Sequence, residues 1–175
     1  MNYHKIEKTS IVNGTGIRTV LWVSGCSLHC KGCHNPETWN VDSGKPFDEE
    51  AKNELFKALD KPYIQGITFS GGHPLESKNV ETIYLLIKEI REKFPTKDIW
   101  LYTGYTLEQI FPEVITDDFN LNRFYKQEIV KMCDVIVDGK YIEELKDITL
   151  QWKGSSNQRV IDVQETLKQG KVITI

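Results

Sequence analysis

The sequence lacks the features typical of a protein that spans a membrane, leaves the cell or coats nucleic acid. No apolar run approaches the roughly 18 residues that a membrane-spanning helix needs. The polar opening MNYHKIEKTS does not resemble a signal peptide. No Lys/Arg cluster dominates any stretch, and the net charge of −3 disfavours a sequence-independent grip on phosphates. We therefore expect a cytoplasmic protein that binds neither membranes nor nucleic acid.

The chain also lacks internal repeats, low-complexity segments and a stretch that reads as an interdomain linker. Its 175 residues, of which 39% are hydrophobic and 27% charged, suit one globular domain with a sizeable core. We expect residues 1–175 to form that single domain. Cysteine is scarce, with 4 in the chain, yet three of them fall in one short loop. Because cytoplasmic thiols stay reduced, such a cluster favours metal binding or catalysis over disulfides.

Strands and helices are predicted to alternate along the chain. Runs rich in β-branched and aromatic residues predict strands at 17–23, 64–70, 98–103 and 134–139. Apolar residues at helical spacing predict helices at 47–59, 79–94 and 123–132, and Thr106 with Gln109 matches a capping box that opens a short one. This alternation favours an α/β fold with parallel βαβ units. The chain is too short for a full barrel of roughly 250 residues, so we predict a partial barrel or an open curved parallel sheet with flanking helices.

Polar residues suited to chemistry follow each predicted strand. They are the segments Cys26–Cys33, Gly71–His73, Thr103–Tyr105 and Asp138–Lys140. In parallel α/β folds, ligand sites form at the carboxyl edge of the sheet. We therefore expect these four segments to converge on one site.

The cysteine loop GCSLHCKGCHNPETW has the spacing Cys-x3-Cys-x2-Cys. A zinc site would need a fourth ligand, such as His29, His34 or the remote Cys133. A redox Cys30-x-x-Cys33 pair would leave Cys26 without a role. Thiolates are also the usual ligands of iron–sulfur clusters, and three of them would leave one iron open for a small molecule. Spacing and compartment favour the open cluster and leave the other two interpretations standing.

The three-cysteine spacing resembles the signature of radical S-adenosylmethionine enzymes. The longer run NGTGIRTVLWVSGCSLHCKGCHNPETW and the tail VDGKYIEELKD…LQWKGSSNQRVID are similar to one branch of that superfamily. That branch is the activating proteins of anaerobic (class III) ribonucleoside-triphosphate reductases. The resemblance covers most of the chain.

The resemblance implies that Cys26, Cys30 and Cys33 hold a [4Fe–4S] cluster whose fourth iron binds S-adenosylmethionine. Reductive cleavage of this cofactor would give methionine and a 5′-deoxyadenosyl radical. That radical would take a hydrogen atom from a backbone glycine of the large reductase subunit, after an external donor such as a flavodoxin has supplied the electron. The implied enzyme is a radical oxidoreductase that needs no catalytic side chain beyond the cluster and its cofactor.

The resemblance also carries over cofactor-binding positions one by one. Gly71, Gly72 and His73 match the segment that holds the methionyl amino group, although His73 stands where the family usually has Glu or Asp. Gly32 and His34 would lie near the adenine. The remaining implied positions are Thr103, Asp138 and Lys140. A neutral imidazole offers one acceptor where a carboxylate offers several, so this departure puts the role of His73 in question.

Two other functions stay open on the sequence. One is a different small radical enzyme, either an activator of the pyruvate formate-lyase type or a 7-deazapurine-forming enzyme. The other is a non-enzymatic zinc-binding module. Cys133, expected at the amino end of its strand, is predicted to be a bystander of the cluster.

Overall fold

The structure, a computed structural model, describes residues 1–113 and 120–175. Its strands are β1 (Asn2–Ser10), β2 (Arg18–Val23), β3 (Lys45–Pro46), β4 (Gly66–Gly71), β5 (Asp98–Tyr102), β6 (Val135–Asp138) and β7 (Arg159–Asp162). Its α-helices are α1 (Glu49–Leu59), α2 (Val80–Lys93), α3 (Leu107–Ile110), α4 (Leu121–Lys131) and α5 (Val163–Gln169). Short 3-10 turns span Pro36–Thr38 and Glu143–Leu145. The predicted α/β class and the predicted strands and helices are confirmed, with ends shifted by a few residues.

The seven strands form one sheet in the order β3-β1-β2-β4-β5-β6-β7. The strands predicted from the sequence, β2, β4, β5 and β6, are its parallel centre. The outer strands β1, β3 and β7 are antiparallel. The prediction of a parallel sheet is therefore wrong for the outer strands: the sheet is mixed, with a parallel centre and antiparallel borders. The sequence did not predict β1 because this strand is half exposed and carries charged side chains. Its pairing with β2 also shifts in register between Tyr3 and Lys5 and between Glu7 and Ser10.

The main core lies between the sheet and its helices. Alternate residues of the central strands, such as Leu21, Phe69 and Leu101, are fully buried against helical side chains such as Leu55 and Ile87. Residues between them face the other way, where Trp100 packs edge-on against Trp152 with ring centroids 5.1 Å apart. Burial on both faces explains why the central strands read as continuous apolar runs.

Helix ends follow the local sequence. The capping box of α3 is present: the Thr106 hydroxyl accepts from the Gln109 N–H while the Gln109 side chain accepts from the Thr106 N–H. The Asp48 side chain accepts from the Ala51 N–H at the start of α1, and the Asp162 side chain accepts from the Glu165 N–H at the start of α5. Among residues 1–113 and 120–175, no helix combines the length and apolarity needed to cross a membrane.

Candidate cluster and cofactor site

The cysteine loop leaves β2 and is held in place by the segment that follows it. Gly25 N–H donates to the Thr38 carbonyl (2.7 Å) and Cys26 N–H donates to the Trp39 carbonyl (3.0 Å). Thr38 is itself fixed by its hydroxyl, which donates to the Asn35 carbonyl at 2.7 Å. The residues after the third cysteine therefore fold back and brace the first, which gives the CHNPETW run a structural reason.

The three thiols of this loop are free and half-buried. They line one cavity of about 160 Å³ at the carboxyl edge of the parallel strands. The predicted site residues that line it are Cys26, Cys30, Cys33, Gly71, Gly72, His73 and Thr103. The predicted residues that do not line it are Gly32, His34, Asp138 and Lys140. Segments after β2, β4 and β5 thus meet as expected, and the segment after β6 contributes Gly139 and Tyr141.

The turn after β4 lies directly against the start of the cysteine loop. His73 N–H donates to the Gly25 carbonyl (2.7 Å), and Gly72 N–H donates to the Val23 carbonyl (2.8 Å). A Cβ added to Gly72 would lie 2.6 Å from the Gly25 oxygen, so only glycine permits this approach. Asn79 ties both segments together, because its amide donates to the Ser24 and His73 carbonyls at 2.8 and 3.1 Å.

His73 is an uncharged, buried ring at the cavity wall. Its side chain is only 2% exposed, and its Nε2 lies 2.9 Å from the Thr103 hydroxyl. Burial lowers the pKa of His73 to about 4; nearby Lys126 adds to that effect and Glu76 opposes it. The ring packs edge-on against Tyr105 with centroids 4.6 Å apart. Within the described part of the chain, Nδ1 of His73 is buried and has no hydrogen-bond partner.

The surroundings of the thiols disfavour free thiolates and suit thiolates that are bound to a metal centre. Burial raises the pKa of the Cys26 thiol, backbone N–H groups of Leu28 and His29 lower it, and nearby Cys30 and Cys33 raise it again. The Asn35 N–H donates to the Cys33 sulfur at 3.4 Å. Mutual repulsion of thiolates is relieved by a bound metal centre, and N–H donors to sulfur tune iron–sulfur clusters. The donor set therefore fits a cluster.

Across residues 1–113 and 120–175, no three His, Cys, Asp or Glu side chains are grouped as they would be around a single metal ion.

Several residues that line the cavity were missed by the sequence reasoning. Those outside the four predicted segments are Trp39, Ser70, Tyr102, Tyr141 and Gln158. Trp39 stacks on His29 with ring centroids 4.6 Å apart, and among the described residues its buried indole N–H has no acceptor. Trp39 and Gln158 belong to the distinctive runs CHNPETW and GSSNQRVID, which was the available signal.

Asp138 and Lys140 sit differently from the cavity residues. The buried Asp138 carboxylate accepts from Arg159 Nε at 2.9 Å and from the Leu107 N–H at 2.8 Å. Arg159 also forms two 2.9 Å bonds to the Glu108 carboxylate, and the two acids together raise the pKa of the guanidinium. This network joins β6, β7 and α3. Lys140 is exposed.

The chain is similar to a known protein family and to named proteins of two bacteria and a bacteriophage. The sequence model of a family described as "4Fe-4S single cluster domain" matches residues 12–161. A protein of Escherichia coli (strain K12) named anaerobic ribonucleoside-triphosphate reductase-activating protein is 42% identical over 162 residues, 91% of this chain and 97% of its own. The protein of that name from Enterobacteria phage T4 is 44% identical over 161 residues, 91% of this chain and 93% of its own. The one from Vibrio cholerae is 39% identical over 160 residues, 90% and 96%.

Proposed function

The chain belongs to the family of anaerobic ribonucleoside-triphosphate reductase-activating proteins, and from that premise we propose that it is the activating enzyme of such a reductase. Its reaction is the generation of a glycyl radical on the large reductase subunit, with S-adenosylmethionine as the consumed cofactor. One observation carries the proposal. Three free thiols from one loop line the same cavity as the glycine-rich turn after β4, at the carboxyl edge of the parallel strands.

We propose that Cys26, Cys30 and Cys33 hold a [4Fe–4S] cluster. When bound, the cluster supplies the electron that cleaves S-adenosylmethionine reductively. The chain's own contribution is to hold the three thiols together at one half-buried cavity. The loop is braced by Thr38 and Trp39 for that purpose, and the Asn35 N–H donates to the Cys33 sulfur.

Cofactor binding is proposed for the glycine-rich turn and its neighbours, Gly71, Gly72, His73 and Thr103. Support comes from their place on the cavity wall. Because the imidazole of His73 is neutral, it cannot offer the charge of the acid that relatives usually carry there. Its contact with an ammonium group would be a single acceptor nitrogen, assisted by backbone carbonyls.

The remaining proposed positions lie around the cavity. Gly32 and His34 are proposed for the adenosyl end, because they flank Cys33. Asp138 is proposed to act indirectly, since its carboxylate is engaged by Arg159 while the adjoining Gly139 lines the cavity. Lys140 is proposed to reach the cofactor from the rim with its exposed side chain.

The finer architecture is part of the same proposal. The loops after β2 and β6 both come close to Gly104: a Cβ added there would overlap the Leu28 side chain and lie 3.8 Å from the Lys140 Cα. This closeness supports a sheet that curves as a partial barrel around the site. Residues 1–175 are proposed to form one domain that works in the cytoplasm, where its thiols stay reduced and a flavodoxin-type protein donates the electron.

Anaerobic reconstitution tests the function. The iron-loaded chain, with a reductant and S-adenosylmethionine, should release methionine and 5′-deoxyadenosine and produce a glycine-centred EPR signal on the large reductase subunit. Release of 5′-deoxyadenosine without that signal would point to another small radical enzyme. Stoichiometric zinc without acid-labile sulfide would point to the zinc-binding module.

A further inference from the structure

The segment after β6, residues 139–144, lies across the cysteine loop. This segment contacts the cysteine loop at three places. A Cβ added at Gly32 would overlap the Glu143 carboxylate, so Glu143 occupies the space that a side chain at position 32 would take. Lys31 and Glu144 form an exposed ion pair at 3.0 Å, and the rings of His34 and Tyr141 lie 6.1 Å apart.

Tyr141 is the aromatic residue of this segment and is held at its hydroxyl. Its O–H donates to Glu143 Oε2 at 2.5 Å. This hydrogen bond is the main cause, and burial the second, that raises the pKa of Tyr141 to about 12. The hydroxyl therefore remains a donor at neutral pH. On the ring side, a Cβ added to Gly154 would lie 3.1 Å from Tyr141 Cδ2. The ring therefore has a fixed place between Glu143 and Gly154.

The GSSNQ run holds the backbone of the same segment. The Asn157 side-chain amide donates to the Lys140 carbonyl (2.8 Å), and that of Gln158 donates to the Gly139 carbonyl (3.0 Å). The Ile142 N–H donates to the Ser155 hydroxyl at 3.2 Å. Side chains from one loop thus hold consecutive peptides of another, which fixes where Tyr141 can be.

Tyr141 borders two connected spaces. It lines the 160 Å³ cavity that holds the three thiols, and it lines a groove of about 360 Å³ that runs past His34 to Trp152. Both spaces are also lined by Cys30, Cys33, Tyr102 and Gln158. An aromatic face offers a ligand a flat stacking surface. The purine of S-adenosylmethionine is the part of the cofactor that has a flat π-face to stack on such a ring.

Resting on the proposed function, we propose that Tyr141 binds the adenosyl half of S-adenosylmethionine with its ring. Glu143 and Gln158 are positioning residues that act through it. The glycine at position 32 has a part in this arrangement, because it leaves room for the Glu143 carboxylate beside the third cysteine.

The test uses the full chain, reconstituted anaerobically, with S-adenosylmethionine as the probe. Iron content and the EPR spectrum of the reduced cluster are measured first, and the change in that spectrum is then titrated with the cofactor. Tyr141→Leu keeps an apolar side chain without a ring, whereas Tyr141→Phe keeps the ring without the hydroxyl. We expect both to hold iron like the unsubstituted chain. Tyr141→Leu should need at least about ten-fold more S-adenosylmethionine than the unsubstituted chain for the same spectral change. Tyr141→Phe should need at most about three-fold more.

The positioning role is tested by a matched pair of neighbours. Glu143→Gln weakens the acceptor for the Tyr141 hydroxyl, and we expect it to need about two- to five-fold more cofactor. Glu144→Gln removes only the exposed ion pair to Lys31 and should titrate like the unsubstituted chain. Equal behaviour of these two variants would overturn the role of Glu143.

The outcomes separate this inference from the function beneath it. If the unsubstituted chain held no iron, or its spectrum did not respond to S-adenosylmethionine, the proposed function would fail. If the unsubstituted chain responded and Tyr141→Leu responded at the same concentration, the role of Tyr141 would be wrong. A Tyr141→Phe variant as weak as Tyr141→Leu would also overturn it, because the ring would then not be what binds.

Discussion

The two ends of the parallel strands bury polar groups in opposite ways. At the amino end, the fully buried Arg18 donates to the Thr68 hydroxyl (2.8 Å) and to the Ile67 carbonyl (2.9 Å). It also forms an ion pair with Asp98 and lies over the Trp100 ring, 5.2 Å from its centroid. A buried charge is tolerated when it is paired and hydrogen-bonded, and Arg18 meets that condition within the protein.

At the carboxyl end, the buried polar groups are left incomplete. The His73 Nδ1 and the Trp39 indole N–H have no partner among the described residues, and three thiols share one cavity. Buried donors and acceptors are nearly always paired, so each exception needs an explanation. At the amino end, Asp98 Oδ1 also lacks a hydrogen bond among the described residues, but it is ion-paired with Arg18. At the carboxyl end, His73 Nδ1 and the Trp39 indole N–H have neither a hydrogen bond nor a charged partner there. We read the amino end as a source of stability and the carboxyl end as a place for a ligand.

The largest expected effect comes from removing a thiol at the carboxyl end. Replacing any one of Cys26, Cys30 or Cys33 with Ala should abolish the cluster and the release of 5′-deoxyadenosine, because the remaining two thiolates cannot hold it. The unsubstituted, anaerobically purified protein should be brown, with about four irons per chain. Iron and labile-sulfide analysis with the absorbance near ~400 nm checks this. A variant that kept its full iron content would break the comparison.

The next effect comes from opening the network at the amino end. Arg18→Met removes the ion pair to Asp98 and the hydrogen bond to the Thr68 hydroxyl while it keeps an unbranched apolar stem in the same place. We expect a loss of about 3 kcal/mol in the free energy of unfolding, with unchanged iron per folded chain. Urea unfolding of the metal-free chain measures the loss.

A control lies at the same end of the sheet. Arg91→Met breaks the Arg91–Asp134 ion pair (2.7 Å), whose side chains are 27% and 35% exposed, together with hydrogen bonds to the Met132 and Lys97 carbonyls. Because solvent reaches these groups, the whole set should cost about 1–2 kcal/mol. An Arg18 variant no less stable than this control would show that the amino-end network is not the stabilising one.

A smaller, pH-dependent effect is expected from His73. Its pKa is about 4 in the folded chain and near 6.5 when unfolded. The unfolded chain therefore binds a proton at a higher pH than the folded chain does. The contribution of His73 to stability is complete above about pH 6.5 and is lost as the pH falls towards 4, with about 2 kcal/mol of it lost between pH 7 and pH 5.

Unfolding of the metal-free chain at pH 7 and pH 5 measures that loss. In His73→Gln, which cannot titrate, the difference in unfolding free energy between the two pH values should shrink. An unchanged difference would mean that His73 does not titrate as its burial implies.

The smallest effect concerns the fourth cysteine, Cys133, at the amino end. It is fully buried between α4 and β6, and its thiol donates to the Ile129 carbonyl at 3.2 Å. Burial raises its pKa far above the usual range, so it stays a neutral thiol. Cys133→Ala should keep all iron and cofactor cleavage and lose about 1–2 kcal/mol of stability. Loss of the cluster would instead make Cys133 a fourth ligand.

The central strands could be predicted from the sequence and the sheet's borders could not. The strands β2, β4, β5 and β6 are buried on both faces, so their composition alone marks them. The strand β1 carries Lys5, Glu7 and Lys8 on a half-exposed border, where charge hides the alternation that a sheet imposes.

Part of the candidate site could likewise be predicted from the sequence, and part of it could not. The cysteine spacing and the turn after β4 are local patterns, and the structure places both at one cavity. The engagement of Asp138 by Arg159 and the contact of Glu143 with Gly32 join residues far apart in the chain. Such pairs depend on how the loops dock, which no spacing within one segment encodes.

The way in which the sheet ends at its two sides has a consequence for self-association. At one border, β3 pairs only through Lys45 and Pro46, and proline offers no N–H to a further strand. The remaining outer border of β1 carries the exposed Lys5 and Lys8. At the other border, the last residues cover β7: Asp162 N–H donates to the Ile173 carbonyl (2.9 Å) and Ile175 N–H donates to the Val160 carbonyl (3.0 Å). Charged, proline-bearing or covered borders are poor templates for edge-to-edge aggregation. This mixed sheet is thereby protected from pairing with copies of itself.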